Sequence, residues 1–357
     1  MDTDKLGISK FNNINGITCY MNSILVILQQ IPILSDYIRS GKFKELINED
    51  YKNTITYQLY ILFRISIDLD NANLTPSSFK KICQTKDPTW GEFQQQDSAQ
   101  FIEFLICQVE EELGKKITFV PGKTPKTINM NMHQSLDNIL AISGYQNFIK
   151  NEFSPFKNFF TSLYNFKTQC CCCNTVTSSF ETSTSWQLPF PEITNEDDEF
   201  ELYDCMNKWS ENERLDDDNK LNCGFCGCKS NANRKISIWK PSNILIVHLK
   251  RFKKDIYGNI CRKIKNKVNF PIEGLNISNY VDKNSIVKNY NYNLVGVNIH
   301  FEIGNMNLGH YISIVKNRYN NNWYIFNDSH NPQIVEDLDH LQHKNSYLLF
   351  YIREDIS

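Results

Sequence analysis

The stretch Gly16-Ile17-Thr18-Cys19-Tyr20-Met21-Asn22-Ser23 carries a cysteine at the point where a polar loop meets an apolar helix. The loop before it, Asn12–Gly16, is rich in Asn and Gly, whereas Met21–Gln30 has apolar residues at helical spacing and stops before Pro32. We expect Thr18 to be the N-cap of this helix, with its hydroxyl accepting a hydrogen bond from a free backbone N–H of the first turn.

Cys19 is therefore predicted to lie at the N-terminus of a buried helix. The partial positive charge at a helix N-terminus favours thiolate over thiol, which lowers the pKa of a cysteine and raises its reactivity. The alternative is a buried structural cysteine, the commoner role for a lone cysteine. A nucleophile also needs a base and a group that orients the base, so the rest of the chain decides between the two.

The far end of the chain supplies both groups. The β-branched and aromatic content of Tyr311–Lys316 and of Trp323–Phe326 predicts two strands joined by a turn, which would pair as a hairpin. His310 precedes the first strand and Asn327 follows the second, so the hairpin would bring the two side chains together. A cysteine nucleophile such as Cys19, a histidine base and an orienting Asn or Asp form the papain-type arrangement.

A second constellation consists of two Cys-x-x-Cys pairs. The first lies in Cys170-Cys171-Cys172-Cys173 and the second in Cys223-Gly224-Phe225-Cys226. Two such pairs can place four thiolates at the corners of a tetrahedron, which is typical of structural zinc. The alternative is a set of free buried thiols. Cys171, Cys172 and Cys228 leave the choice of ligands open from spacing alone.

The composition favours a soluble intracellular enzyme. The chain has 357 residues, of which 41% are hydrophobic and 22% charged, enough for a large core. A net charge of -2 does not favour binding to nucleic acid or to an anionic membrane. Twelve cysteines in a chain of this length, without a secretory signal, do not indicate a disulfide scaffold. We expect a cytoplasmic protein, with the nucleus as an alternative.

Between these constellations the pattern alternates between helix and strand. Helical spacing extends from Asn22 to about Leu69, and a further helix is predicted over Gln94–Leu113 with Asp97 in its first turn. Lysines and prolines within Gly114–Ser143 predict an exposed loop. The run Ile244-Leu245-Ile246-Val247 predicts a strand buried at the centre of a sheet.

Several motifs resemble those of the ubiquitin-specific proteases. The cysteine stretch resembles their Cys box, Gly-x-Thr-Cys-Tyr-Met-Asn-Ser, and the stretch from Gly309 to Asp328 resembles their His box. Gln95–Phe101 is similar to their Gln-Gln-Asp-Ala-x-Glu-Phe segment. Leu249–Phe252 and Tyr347–Tyr351 also match family segments in the right order, so the resemblance covers nearly the whole chain.

The resemblance implies an α+β fold of papain-like type with thumb, palm and fingers subdomains. The whole chain, residues 1–357, would form one catalytic domain. The helical thumb would occupy about 1–115, the fingers with part of the palm 153–245, and the β-sheet palm 246–357. The fingers would be tied at their tip by structural zinc on the cysteines chosen by spacing and resemblance together: Cys170, Cys173, Cys223 and Cys226.

The resemblance also assigns roles to individual residues. Cys19 would be the nucleophile, His310 the base and Asn327 the residue that orients the imidazole. Asp328, next in the chain, would assist with the attacking water or with orientation. Asp97, which otherwise would simply favour the helix dipole, would bind the basic C-terminal tail of ubiquitin.

The implied function is hydrolysis of isopeptide or peptide bonds at the C-terminal glycine of ubiquitin, through a thioester. The expected partners are ubiquitin, polyubiquitin and ubiquitinated proteins, with no nucleic acid and no membrane, and the expected state is a monomer. A protease for another ubiquitin-like modifier would carry the same motifs, so it remains an alternative.

One position departs from the family pattern. The family has an Asn five residues before the cysteine that resembles an oxyanion-hole donor, and here that position is Ile14. Losing one such donor costs about 10²–10³-fold in rate. Either Asn13 or Asn15 could take the role if the loop shifts by one residue. Without a substitute, the chain would be a catalytically weak ubiquitin-binding module.

Overall fold

The computed structural model describes residues 7–47, 50–69, 71–91, 93–117, 132–149, 153–254, 260–285, 287, 289–303 and 305–356. Within these residues the α-helices are α1 Cys19–Gln30, α2 Pro32–Ser40, α3 Ile55–Asp68, α4 Ser77–Lys86, α5 Ser98–Leu113, α6 Met132–Ile149, α7 Pro155–Phe160 and α8 Leu202–Trp209. None of these described helices is long and apolar enough to span a lipid bilayer.

The strands of the described residues fall into one large sheet, a smaller sheet and several two-stranded pairs. Their bounds are β1 Lys10–Phe11, β2 Asn73–Leu74, β3 Ser162–Cys170, β4 Val176–Ser183, β5 Trp186–Leu188, β6 Phe200–Glu201, β7 Glu213–Leu215, β8 Leu221–Asn222, β9 Lys229–Ser230, β10 Ala232–Lys240, β11 Ile244–Leu249, β12 Phe252–Lys254, β13 Ile260–Lys263, β14 Val268–Asn269, β15 Leu275–Asn276, β16 Asn291–Ile303, β17 Asn305–Lys316, β18 Trp323–Phe326, β19 Gln333–Ile334 and β20 Ser346–Arg353.

The large sheet, here called the palm sheet, has the strand order β19-β18-β17-β16-β20-β11-β5, with β15 paired to β16. Strand β11 lies between β20 and β5, which confirms the predicted central strand. Ile244 and Ile246 of β11 belong to a core on one face of the sheet, whereas Leu245 and Val247 belong to a core on the other. A strand covered on both faces needs a continuous apolar run, as its sequence has.

Helix α1 is buried along its whole length, because it packs between the palm sheet and the other helices of the thumb. Gly296 on β16 permits this close approach. A Cβ atom built on Gly296 would lie 2.9 Å from Cγ2 of Ile27, too close for any side chain. The glycine therefore lets α1 lie directly on the sheet, with Cys19 at its first position.

The fingers are formed by the four-stranded sheet β4-β3-β10-β7 and by the short hairpin β8–β9 at its tip. One prediction for the segment before them is wrong: part of the expected loop Gly114–Ser143 is helix α6, which begins at Met132. Ala141 of α6 is buried with Leu163 and Trp239, and this apolar contact stabilises the helix. Residues 118–131 of the predicted loop lie outside the described residues.

Helix α5 begins at Ser98 rather than at the predicted Gln94. Asp97 is its N-cap and not a residue of its first turn. The Oδ1 atom of Asp97 accepts hydrogen bonds from the backbone N–H of Ala99 at 2.7 Å and of Gln100 at 3.0 Å. A carboxylate that caps a helix satisfies donors that the helix leaves free, so the helix begins after Asp97.

Helix α3 is held at its N-terminus by a carboxylate from α5. Glu112, with 4% of its side chain exposed, accepts hydrogen bonds from the backbone N–H of Ile55 at 2.8 Å and of Thr56 at 2.9 Å. It also accepts one from the hydroxyl of Thr56 at 2.7 Å. The carboxylate thus joins two helices of the thumb.

We expect Glu112→Ala to lower the free energy of unfolding by about 2–3 kcal/mol, because it leaves buried donors without an acceptor. Urea unfolding would measure the loss. Glu111→Ala is the matched control. Glu111 is exposed, and among the contacts described its side chain accepts only from Gln108, so a change within about 0.5 kcal/mol is expected. Equal losses in the two variants would contradict the role given to Glu112.

Candidate active site and metal centre

His310, on β17, lies beside Asn327, which directly follows β18 of the palm sheet. The Nε2 atom of His310 is 2.7 Å from Oδ1 of Asn327. An amide oxygen can only accept, so Nε2 carries the hydrogen and Nδ1 is left as the basic nitrogen. His310 lies within β17, which extends back to Asn305, rather than just before a strand as the sequence predicts.

Cys19 opens helix α1 and lies against the strand that carries His310. Its thiol is 1% exposed. The pKa of Cys19 is raised to about 11, chiefly by burial and in smaller part by the nearby charge of Asp328, whereas the backbone N–H groups of Tyr311 and Tyr20 act in the opposite direction. The predicted lowering of this pKa by the helix N-terminus is wrong, because desolvation outweighs the dipole. The raised pKa therefore favours the thiol over the thiolate of Cys19 at neutral pH.

Asp328 connects the two ends of the chain. Its Oδ2 accepts from Nδ2 of Asn13 at 2.9 Å, and its Oδ1 accepts from Nδ2 of Asn22 at 2.8 Å. The same carboxylate lies 4.0 Å from Nε2 of His310 and has only 7% of its side chain exposed. Burial raises the pKa of Asp328, while these hydrogen bonds and His310 favour the charged form. This residue is the charged neighbour of the imidazole.

The loop before Cys19 is held by Asn13 and not by the helix cap that the sequence predicts. Thr18 is at the N-cap position, but its hydroxyl accepts from the backbone N–H of Ile14 at 2.8 Å and not from the helix. The Oδ1 atom of Asn13 accepts from the backbone N–H of Thr18 at 2.7 Å. Asn15 is exposed, with φ of 53°, a conformation that Asn tolerates better than most residues.

Asp97 faces two tyrosines of the palm. Its Oδ2 accepts from the hydroxyl of Tyr347 at 2.8 Å and lies 3.5 Å from that of Tyr311, while Oδ1 caps α5. Asp97 is half-buried. A carboxylate has about four lone-pair directions, and these four contacts fix its position. A further donor would have to share Oδ2 with the long 3.5 Å contact from Tyr311.

A layer of polar groups supports the backbone just before His310. The backbone N–H of Gly309 donates to Oε1 of Gln95 at 2.7 Å. A Cβ on Gly309 would lie 2.0 Å from Nε2 of His300, so only glycine fits there. The ammonium of Lys263 donates to the backbone oxygen of His300 at 2.7 Å and lies 3.0 Å from its Nδ1. Burial lowers the pKa of Lys263 to about 8 and that of His300 to about 3.

Four cysteines converge at the fingertip. The Sγ atoms of Cys170, Cys173, Cys223 and Cys226 all lie within 4.8 Å of one another. The Cys170–Cys226 separation is 4.0 Å and the Cys173–Cys223 separation is 3.8 Å. Sulfurs bound at about 2.3 Å to one tetrahedral zinc ion lie about 3.8 Å apart. The four thiols therefore lie close to the spacing of a closed tetrahedral metal site.

Comparison with known proteins places this geometry in a family. A profile described as ubiquitin carboxyl-terminal hydrolase matches residues 10–351. The chain belongs to the ubiquitin carboxyl-terminal hydrolase family. The match runs from the loop before Cys19 to the last strand of the palm sheet, so it includes every residue of the site described above.

Curated relatives of this hydrolase are distant in sequence. A probable ubiquitin carboxyl-terminal hydrolase of Acanthamoeba polyphaga mimivirus is 26% identical over 87% of this chain and 73% of its own length. Ubiquitin carboxyl-terminal hydrolase 2 of Homo sapiens is 26% identical over 97% of this chain but 55% of its own length. The chain thus spans about half of that human relative.

Solved structures show the same fold. A yeast SAGA DUBm structure has a TM-score of 0.72 with 24% identity, covering 99% of this chain and 70% of that one. A SAGA DUB module bound to ubiquitin aldehyde has a TM-score of 0.71 with 23% identity, covering 99% of this chain and 71% of that one. These likenesses confirm the predicted papain-like α+β fold.

Sequence reasoning gave no role to three residues of this hydrolase that the structure places beside the site. Asn22 donates to Asp328, Gln95 accepts from Gly309, and Lys263 holds His300. Asn22 and Gln95 lie inside the motifs that carry the resemblance, so their place in these motifs could have indicated a role at the site. Lys263 lies in no such motif, and only its burial reveals it.

The raised pKa of Cys19 predicts how the free enzyme reacts with iodoacetamide. Only the thiolate reacts, and below the pKa of about 11 its fraction grows about tenfold per pH unit. We expect alkylation of Cys19 to accelerate about a hundredfold from pH 7 to pH 9. Mass spectrometry of the Cys19 peptide would measure it, with Cys19→Ala as the blank. A rate that is flat above pH 7 would instead indicate a preformed thiolate–imidazolium pair.

Proposed function

We propose that this chain is a deubiquitinating cysteine protease that hydrolyses the isopeptide or peptide bond after the C-terminal glycine of ubiquitin. The observation that carries the proposal is the 2.7 Å contact between Nε2 of His310 and Oδ1 of Asn327, on the strand that packs against Cys19. This contact leaves Nδ1 of His310 as the base for a cysteine nucleophile. Family membership supplies the substrate class.

In the proposed reaction the thiol of Cys19 gives its proton to His310 as the sulfur attacks the carbonyl carbon of the terminal glycine of ubiquitin. The imidazolium then gives that proton to the leaving amine of the lysine, and a thioester remains on Cys19. His310 next removes a proton from water as the water attacks the thioester. The C–S bond breaks, ubiquitin leaves with a free C-terminal carboxyl group, and His310 returns the proton to the Cys19 sulfur. Because the raised pKa of Cys19 favours the thiol, His310 must take the proton before or during attack.

Asn327 and Asp328 have different proposed roles. Asn327 accepts from the imidazole and keeps the ring in one orientation, but an amide carries no charge to stabilise an imidazolium. The carboxylate of Asp328, 4.0 Å from Nε2 of His310, supplies that charge. Its attraction strengthens when His310 becomes protonated, so Asp328 favours the transition state more than the resting enzyme.

The oxyanion of the tetrahedral intermediate needs donors that Ile14 cannot supply. We assign this role to the side-chain amide of Asn13 together with the backbone N–H of Cys19. The Nδ2 atom of Asn13 carries two hydrogens, and among the described contacts it gives one, to Asp328. Asn15 is exposed and is the weaker candidate of the two.

Asp97 is proposed to bind the basic C-terminal tail of ubiquitin. Tyr347 and the first turn of α5 fix its carboxylate, so binding needs no reorganisation of this group. An ordered carboxylate that meets an arginine gains a charge-assisted hydrogen bond.

We propose that the fingertip cysteines Cys170, Cys173, Cys223 and Cys226 hold a zinc ion that is structural. Four thiolates fill a tetrahedral ion, so no position is left for a substrate or a reactive water. The ion would join the turn after β3 to the hairpin β8–β9, which are otherwise far apart along the chain.

Turnover of a fluorogenic ubiquitin C-terminal amide tests the function directly. We expect wild-type chain to release the fluorophore and Cys19→Ala to reduce turnover by at least about 10⁴-fold, because no covalent intermediate can form. Cys107→Ala, an exposed cysteine on α5, is the matched control and should keep full turnover.

The same assay separates the alternatives. A wild-type chain that binds ubiquitin without turnover would contradict the proposal and favour a binding module with a defective oxyanion hole at Ile14. If probes made from another ubiquitin-like modifier were turned over and the ubiquitin probe were not, the proposed mechanism would stand. The substrate would then be that modifier and not ubiquitin.

Loss of a zinc ligand should act through the fingers and not through the nucleophile. We expect Cys173→Ser to open the fingertip to limited proteolysis at a rate several-fold above wild type, since a structural zinc site contributes its binding energy to folding. Alkylation of Cys19 at pH 9 should be unchanged. Cys171→Ser, which alters an exposed neighbour, is the control. An unchanged proteolysis pattern in Cys173→Ser would contradict the assignment.

A further inference from the structure

The fingertip carries more cysteines than the four ligands of one tetrahedral site. Besides the four cysteines assigned above, Cys172 and Cys228 are exposed at the same turn and hairpin. The Sγ atoms of Cys172, Cys226 and Cys228 all lie within 4.8 Å of one another. Cys226 therefore belongs to both groups, whereas Cys171, the sequence neighbour of Cys172, belongs to neither.

We propose that Cys172, Cys226 and Cys228 form a second metal site that binds Zn2+ and shares the Cys226 thiolate with the first. Thiolates select soft ions such as Zn2+ and Cu(I) over Mg2+ or Ca2+. Cys226 bonds the two ions through two of its lone pairs. Cys172 and Cys228 each lose one proton when the second ion binds.

The backbone holds these thiols in place without help from a metal. The backbone N–H of Cys223 donates to the oxygen of Cys228 at 3.0 Å, and that of Gly227 donates to the oxygen of Cys223 at 2.8 Å. Gly227 has φ of 71°, which favours glycine and turns the chain so that Cys228 comes back beside Cys226.

The other half of the site is fixed in the same way. The backbone N–H of Asn174 donates to the oxygen of Cys170 at 2.9 Å, and that of Cys171 donates to the oxygen of Asn231 at 2.9 Å. Cys172 lies between these two anchors. A site built on ordered turns binds its ion without the entropic cost of gathering the ligands.

Charge and exposure determine the character of the second site. One Zn2+ with four thiolates carries a net charge of about -2, and adding one Zn2+ with two more thiolates leaves that charge unchanged. Because Cys172 and Cys228 are exposed, the fourth position of the second ion faces solvent and takes a water molecule. This ion is therefore expected to exchange faster than the first.

Metal content of the full chain tests the proposal. The protein is saturated with Zn2+ under a phosphine reductant, freed of excess ion by gel filtration, and analysed by mass spectrometry for zinc per chain. We expect about two ions in wild type and in Cys171→Ser, and about one in Cys172→Ser and in Cys228→Ser. Reconstitution with ¹¹³Cd2+ should give two cadmium resonances in the first pair of proteins and one in the second.

Two results would overturn the proposal. One is a single zinc in reduced wild type, including the case in which Cys172 and Cys228 are found as a disulfide once the reductant is removed. The other is two zinc ions in the Cys172→Ser/Cys228→Ser double variant. Alkylation of Cys19 at wild-type rate in each variant shows that the chain is folded, so the metal count does not depend on deubiquitinating activity.

Discussion

The buried carboxylate of Asp328 joins parts of the chain that are more than three hundred residues apart. It accepts from Asn13, in the loop before the nucleophile, and from Asn22, on the helix that the nucleophile opens, while it lies beside His310. Hydrogen bonds to a charged acceptor in a buried place are worth about 1.5–3 kcal/mol each. Asp328 helps to set the position of Cys19 relative to His310, because thumb and palm meet at this carboxylate.

A second buried polar link keeps the same two subdomains in register. The hydroxyl of Ser98 donates to Oδ1 of Asn298 at 2.8 Å, and Nδ2 of Asn298 donates to the hydroxyl of Ser23 at 2.8 Å. This chain of hydrogen bonds connects α5, β16 and α1 inside the core. Apolar packing tolerates small displacements of one element against another. A buried chain of hydrogen bonds does not, because a displacement would leave polar groups without partners. Gly296 lets α1 lie close enough to the palm sheet for both sets of hydrogen bonds to form.

Sequence reasoning found the elements whose signal is local. The apolar run of β11 predicts a strand with both faces covered, and the two Cys-x-x-Cys pairs predict a cluster of four thiols, and both are present. Properties that depend on burial in the tertiary structure were not predicted from the sequence. The helix N-terminus suggests a thiolate at Cys19, but desolvation reverses the sign. Helix α6 was not predicted, because the lysines and prolines in the segment before it are typical of a loop. The helix is stabilised by the packing of Ala141 against the fingers, which the local sequence does not indicate.

The choice of Asn rather than Asp at position 327 follows from the same carboxylate. Asp328 already places one negative charge in a buried site, and burial already raises its pKa. A second carboxylate at 327 would lie next to it in the chain, and two like charges at close range cannot both remain ionised. The neutral Asn327 orients the imidazole without that repulsion, and Asp328 is left to stabilise the imidazolium. Orientation and charge, which a single Asp can provide together, are here divided between two adjacent residues.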